Sequence, residues 1–220
     1  MALTFTQLGA DTFNRANENP LNPTNWLAMV SGQYAGFPMQ IVSNQCTETN
    51  ALGSMNLWVG SAIPADQYCE FKITQLNTFD DYVTLLLRNS HDTNFGAAYE
   101  FNIFGPFGAS AGYDIAQISS DGTNVDYDWY PANVTITINA GDVFRFAVVG
   151  QGSGRWYLYQ NGTLIDSKPL SDSGAAGVVA SGRTGVQAQG GIGTNGFTNF
   201  ATGSVTQSSH SPFFGMGRGR

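Results

Sequence analysis

Two carboxylates about 5 Å apart can cleave a glycosidic bond, one attacking and the other protonating. On a strand, an i, i+2 spacing puts both on one face. The chain has four glutamates, Glu18, Glu48, Glu70 and Glu100, and each stands alone. Asp126 and Asp128 have the required spacing, but Tyr127-Asp128-Trp129-Tyr130-Pro131 reads as a loop or strand end. The two histidines, His91 and His210, lie in a Ser-His-Asp-Thr-Asn turn and near the C-terminus. Ser90, His91 and Asp92 are sequence neighbours, whereas the members of a nucleophilic triad meet in space. The residues therefore predict a protein that is not an enzyme, with glycan hydrolysis as a minor alternative.

Metal and phosphate chemistry has weaker signals. Asp80, Asp81, Asp92, Asn94, Asp121, Asn124 and Asp126 offer oxygen donors in turn-rich segments. Such donors suit a structural calcium, although solvated turns are their commoner use and no EF-hand spacing is present. No other cofactor is expected. Gly190-Gly191-Ile192-Gly193 lacks the lysine and the following helix of a phosphate loop. Cys46 and Cys69 fall in different strand-like stretches, with no CxxC partner for zinc. Reduced core thiols are the simpler reading; a disulfide would need adjacent strands and an oxidising compartment.

The stronger signal is aromatic. Tyr127, Trp129 and Tyr130 are interleaved with Asp126 and Asp128. Rings that stack on the apolar face of a sugar, beside carboxylate acceptors, make a glycan platform, and these five residues are the candidate ligand site. Tyr34 and Phe37 form a second, smaller group. In Arg155–Gln160, Tyr157 and Tyr159 share one face and Trp156 and Leu158 the other, so one pair belongs to the core.

The elements that must carry these residues are strands. Apolar alternation marks Gln40–Ser43, Ser54–Val59, Gln67–Gln75, Tyr82–Asn89, Ala97–Phe104, Gly112–Ser119, Asn133–Ile138, Val143–Val149, Arg155–Gln160, Thr163–Ser167 and Phe197–Val205. Asn161-Gly162 predicts a two-residue hairpin turn inside a three-strand meander. No capped segment keeps a 3.6-residue period. The 220 residues, 42% hydrophobic and 13% aromatic, can build one sizeable core. They predict an all-β, two-sheet antiparallel jelly-roll sandwich over residues 1–206, followed by a C-terminal arm or tail over 207–220.

A net charge of −7 with nine Lys plus Arg argues against nucleic acid. No run of about 18 apolar residues predicts a membrane span, and the N-terminus has no basic start or apolar stretch of a secretory signal. In the arm, Phe213, Phe214, Arg218 and Arg220 predict docking onto a like subunit, as in a homo-oligomer, or onto another partner; a frayed tail is the alternative.

Asp11-Thr12-Phe13-Asn14-Arg15-Ala16, followed by Leu21 and Trp26, resembles the opening of concanavalin A-like lectin/glucanase sandwiches. Gly141–Gly150, Arg155–Ile165 and Ser181-Gly182-Arg183-Thr184-Gly185 resemble their closing strands. The resemblance covers residues 8–205 and implies the fold, with Phe13 and Trp26 in the core, Asp11 and Arg15 closing one end, and Gly185 at a close strand approach. Glycanases of this family carry two Glu and an Asp at alternating positions of one strand, and that pattern is absent. The superfold hosts many functions. Two are in view: a virion structural protein, such as a phage decoration, fibre or tail-associated subunit made in the host cytoplasm, which could also hold surface glycans; or an extracellular carbohydrate-binding module.

Overall fold

The computed structural model describes residues 2–29, 36–77, 82–90, 96–120, 125–130, 134–173 and 179–208. In chain order the strands are β1 (Leu3–Asp11), β2 (Trp26–Ala28), β3 (Gln40–Val42), β4 (Gln45–Thr47), β5 (Ser54–Trp58), β6 (Gln67–Gln75), β7 (Tyr82–Asn89) and β8 (Ala98–Phe104). They continue as β9 (Gly112–Ser120), β10 (Val125–Trp129), β11 (Val134–Thr135), β12 (Val143–Val149), β13 (Arg155–Gln160), β14 (Thr163–Pro169), β15 (Arg183–Gln189) and β16 (Gly196–Gln207). A single 3₁₀ turn, Leu170–Ser173, is the one helical element among the described residues.

The strands form two antiparallel sheets. The first runs β14-β13-β12-β6-β16-β4-β3, with β1 also paired to β16. The second runs β10-β9-β8-β7-β15-β5-β2, with β11 paired to β9. Alternation decides what lies between them. In β6, Cys69, Phe71 and Ile73 enter the core; in β7, Val83, Leu85 and Leu87; in β8, Tyr99, Phe101 and Ile103. Phe101 of the second sheet meets Phe144 and Phe146 of the first at ring-centroid separations of 5.8 and 5.7 Å. Burying one such side chain is worth about 1.5–3 kcal/mol.

The expected meander is present as β12-β13-β14, and its turn is Asn161-Gly162, both at positive φ (51° and 78°). That is the mirror-image turn whose twist matches the flanking strands. Trp156 and Leu158 are the core pair, leaving Tyr157 and Tyr159 on the outer face. A Cβ on Gly185 would come within 2.8 Å of Leu57 and 2.9 Å of the Asn56 carbonyl, so β5 can approach β15 only over a glycine.

At one end, Phe13 and Trp26 are fully buried. Asp11 accepts from the Phe13 backbone at 2.8 Å and the Trp26 indole at 2.9 Å, and pairs with Arg15 at 2.6 Å. Cys46 and Cys69 are free, buried thiols on β4 and β6, two strands held apart by β16, and burial pushes both thiols up.

Several elements differ from the sequence reading. Of the stretch read as a loop or strand end, Tyr127–Trp129 belongs to a full edge strand, β10, paired to β9 from Val125↔Ser120 to Trp129↔Ala116. The two aspartates had masked its alternation. Strands β1 and β2 were not expected, because β1 is half-exposed and β2 is three residues long. Of Asn133–Ile138, only Val134–Thr135 is strand. Strand β16 runs to Gln207, past the expected Val205, and Ser208 donates to the Ala2 carbonyl at 3.2 Å. Phe213, Phe214, Arg218 and Arg220 lie outside the described residues, as do His91, His210 and Tyr34.

Candidate functional site

The polar side chains that β8 turns away from the inter-sheet core are Glu100 and Asn102, and β9 contributes Asp114 in the same way. Three rows of cross-strand neighbours follow from the register. Gln187, Thr84, Asn102 and Asp114 face one another across β15, β7, β8 and β9. On one side of this row lie Tyr82, Phe104 and Gly112; on the other lie Leu86, Glu100, Ala116 and, on β10, Trp129. Together they floor a cleft of about 300 Å³ on the outward face of the second sheet, lined by Tyr82, Glu100, Asn102, Phe104 and Asp114, with Tyr127 and Trp129 as its wall.

The wall is a pair of stacked rings. Tyr127 and Trp129 lie 5.5 Å apart with their planes 9° from parallel. Alternation along β10 sends both to this face, and the position of β10 at the sheet edge leaves Trp129 48% exposed. Ala116 beside Trp129 is a single methyl, so space opens in front of the indole. Beyond the cleft, the same face becomes apolar: Met29, Met55, Leu57, Leu86, Ala98 and Ile118 are buried there, with Tyr127 packed against them.

The floor is pre-organised. The Thr84 hydroxyl donates to Asn102 Oδ1 at 2.5 Å, and Asn102 Nδ2 donates to Asp114 Oδ1 at 2.9 Å. This relay fixes the amide orientation. Tyr82 donates its hydroxyl to Gln189. Glu100 is 3% exposed, and its Oε2 has no hydrogen-bond partner. Burial pushes the Glu100 carboxyl up to about 8; Asn102 beside it pulls it down and the charge of Asp114 pushes it further up. Burial likewise raises Asp114 to about 6 against the pull of Asn102. Two neighbouring acids whose affinities for the proton are both raised, beside a cleft, mark a functional-site candidate.

The five residues singled out from sequence divide three ways. Tyr127 and Trp129 form the wall. Asp126 and Asp128 fall on the opposite face of β10, so they do not serve this wall as acceptors; Glu100, Asn102 and Asp114 occupy that place. Tyr130 is drawn into the core at 3% exposure, donating its hydroxyl to the Leu170 carbonyl at 2.8 Å and meeting Trp156 edge-on at 5.6 Å. The signal for the missed residues was polar alternation: Glu100 and Asn102 between Tyr99, Phe101 and Ile103, and Asp114 between Tyr113 and Ile115. Glu100 stands alone in its own strand; its partner lies on the next one.

Of the oxygen donors suggested for calcium, only Asp126 is among the described residues. No cluster of three or more His, Cys, Asp or Glu suited to a metal occurs among them. No described helix is long and apolar enough to cross a membrane.

Two antiparallel sheets joined in this order make a concanavalin A-like jelly-roll sandwich. No protein-family model and no curated protein sequence matches the chain. Solved structures do. A Bacillus subtilis protein of unknown function with a galectin-like fold superposes with a TM-score of 0.59 at 9% identity, covering 93% of this chain and 100% of that one. β-Agarase B from Zobellia galactanivorans gives 0.58 at 10% identity, over 94% and 95%. A legume lectin-like domain from Entamoeba histolytica gives 0.54 at 10% identity, over 87% and 96%. At these identities the likeness is one of fold. The virion role expected from composition finds no support in the fold or in these likenesses.

Proposed function

We propose that the outward cleft of the second sheet binds a glycan without cleaving it. The observation that carries this is the stacked Tyr127–Trp129 pair, with Trp129 half-exposed, standing over the fixed Thr84–Asn102–Asp114 relay. An aromatic wall gives contact area to a sugar's apolar face, while a few oriented polar groups fix its hydroxyls. Lectins and glycan hydrolases among proteins of similar fold are compatible with the reading.

The test is a glycan array followed by titration of the best saccharide. The expected result is binding by the intact protein and a loss of at least tenfold, about 1.4 kcal/mol, in Trp129→Ala. Binding unchanged in that variant would place the site elsewhere. Release of reducing ends from a bound polysaccharide, abolished by Glu100→Gln, would replace this reading with the hydrolase one. The virion reading draws on composition and the arm residues; a chain ending at Gln207 that assembles as the full chain does would take away much of its support.

A further inference from the structure

The chemistry of the cleft also bears on which glycan it takes. We propose that the cleft selects a saccharide carrying a free amine over its N-acetylated or acidic counterparts. This rests on the binding reading above and narrows it.

The floor holds two carboxyl groups, Glu100 and Asp114, on adjacent strands. Asp114 accepts one bond from Asn102, and Glu100 Oε2 is buried with none. A buried carboxyl oxygen without a partner favours whatever brings it a donor or a positive charge.

No cation does so from within the described chain. The chain has nine basic residues, and Arg218 and Arg220 lie outside the described part. Arg15 is tied to Asp11 and Glu18. Lys72, Arg145, Arg155 and Lys168 belong to strands of the first sheet. Arg88 turns toward Asp66 and three backbone carbonyls. Arg183 starts β15, four residues before Gln187. None of these lines the cleft.

The wall complements the floor. An ammonium over the face of a tryptophan or tyrosine ring is attracted by its quadrupole, and exposed Trp129 offers such a face. An ammonium between this wall and the floor meets the ring face on one side and the Asp114 carboxylate on the other, while Glu100, still protonated near neutral pH, offers an oxygen acceptor. A sulfated or uronic sugar meets repulsion with nothing to offset it. Neutral N-acetylation keeps the ring contact but removes the charge.

The test compares three oligosaccharides of equal length at about pH 6.5: a glucosamine oligomer, its N-acetylated form and an oligogalacturonate. The expected order is amine first, by tenfold or more over the acetylated form, with no binding of the acid. Glu100→Gln combined with Asp114→Asn should erase the preference. Asp126→Asn, which makes one of the same charge changes on the opposite face of β10, should keep it. That control separates the cleft from the general attraction of an acidic protein for a polycation. Equal affinity for the amine and acetylated forms, or a preference that survives the double variant, overturns the inference. If neutral glycans then still bind through Trp129, the binding reading stands without it. If no saccharide binds at all, both fall.

Discussion

Asp11 and Trp26, fifteen residues apart in sequence, meet through a 2.9 Å hydrogen bond from the indole Nε1 to Oδ2. The other carboxylate oxygen accepts from the Phe13 backbone and from Arg15. One nearly buried side chain thus ties the end of β1 to the start of β2, and fixes the two aromatic residues, Phe13 and Trp26, that seal this end of the core.

Removing that carboxylate should therefore be felt by the whole domain. Asp11→Ala leaves a buried indole N–H and a backbone N–H unpaired, with an expected loss of about 2 kcal/mol. Asp11→Asn, which keeps one acceptor, should lose less. Urea unfolding of both variants checks the order.

Arg88 is wholly buried, with φ +56°, and donates to the carbonyls of Ala65, Val179 and Gly150. Arg88→Met keeps much of the volume but strands three acceptors. An expected loss of about 3 kcal/mol would be read as a fall in Tm; an unchanged Tm would mean that water replaces the guanidinium.

Gly162 sits at φ +78° in the hairpin turn. A Cβ there meets no atom, so only backbone strain opposes substitution. Gly162→Val should lose about 1–2 kcal/mol, and Gly162→Asn should lose less, because asparagine tolerates this region. Equal losses in the two would point to a cause other than φ.

The two raised carboxyls give a pH dependence of defined sign. Between the usual carboxylate range and about 8, folded Glu100 keeps its proton while the unfolded chain has lost it. The native state then binds more protons, so stability falls as pH rises, and levels off above about 8. Asp114 adds the same sign up to about 6. Glu100→Gln removes the larger part of this penalty. It should be more stable than the parent at about pH 9, by 1 kcal/mol or more at roughly 1.4 kcal/mol per unit, and the difference should vanish near pH 4. Denaturant titrations across this range decide it.

Strong alternation is enough to specify several strands. Gln67–Gln75, Tyr82–Asn89, Val143–Val149 and Arg155–Gln160 are legible to the residue, because one face of each is apolar and period-two burial leaves little freedom of register. The Asn161-Gly162 turn is legible because few residue pairs accept two positive φ angles. Asp11, Phe13 and Trp26 announced the closed end of the sandwich. The site was legible only in part. Tyr127 and Trp129 were visible as aromatics, but their shared face, the opposite placement of Asp126 and Asp128, and the withdrawal of Tyr130 into the core all depend on Val125–Trp129 becoming an edge strand, and pairing with β9 decides that. The Glu100–Asp114 juxtaposition has no local signal at all. It exists because β8 and β9 pair with Asn102 opposite Asp114, and the interstrand register that creates it is a property of the sheet, set by what the opposite face buries.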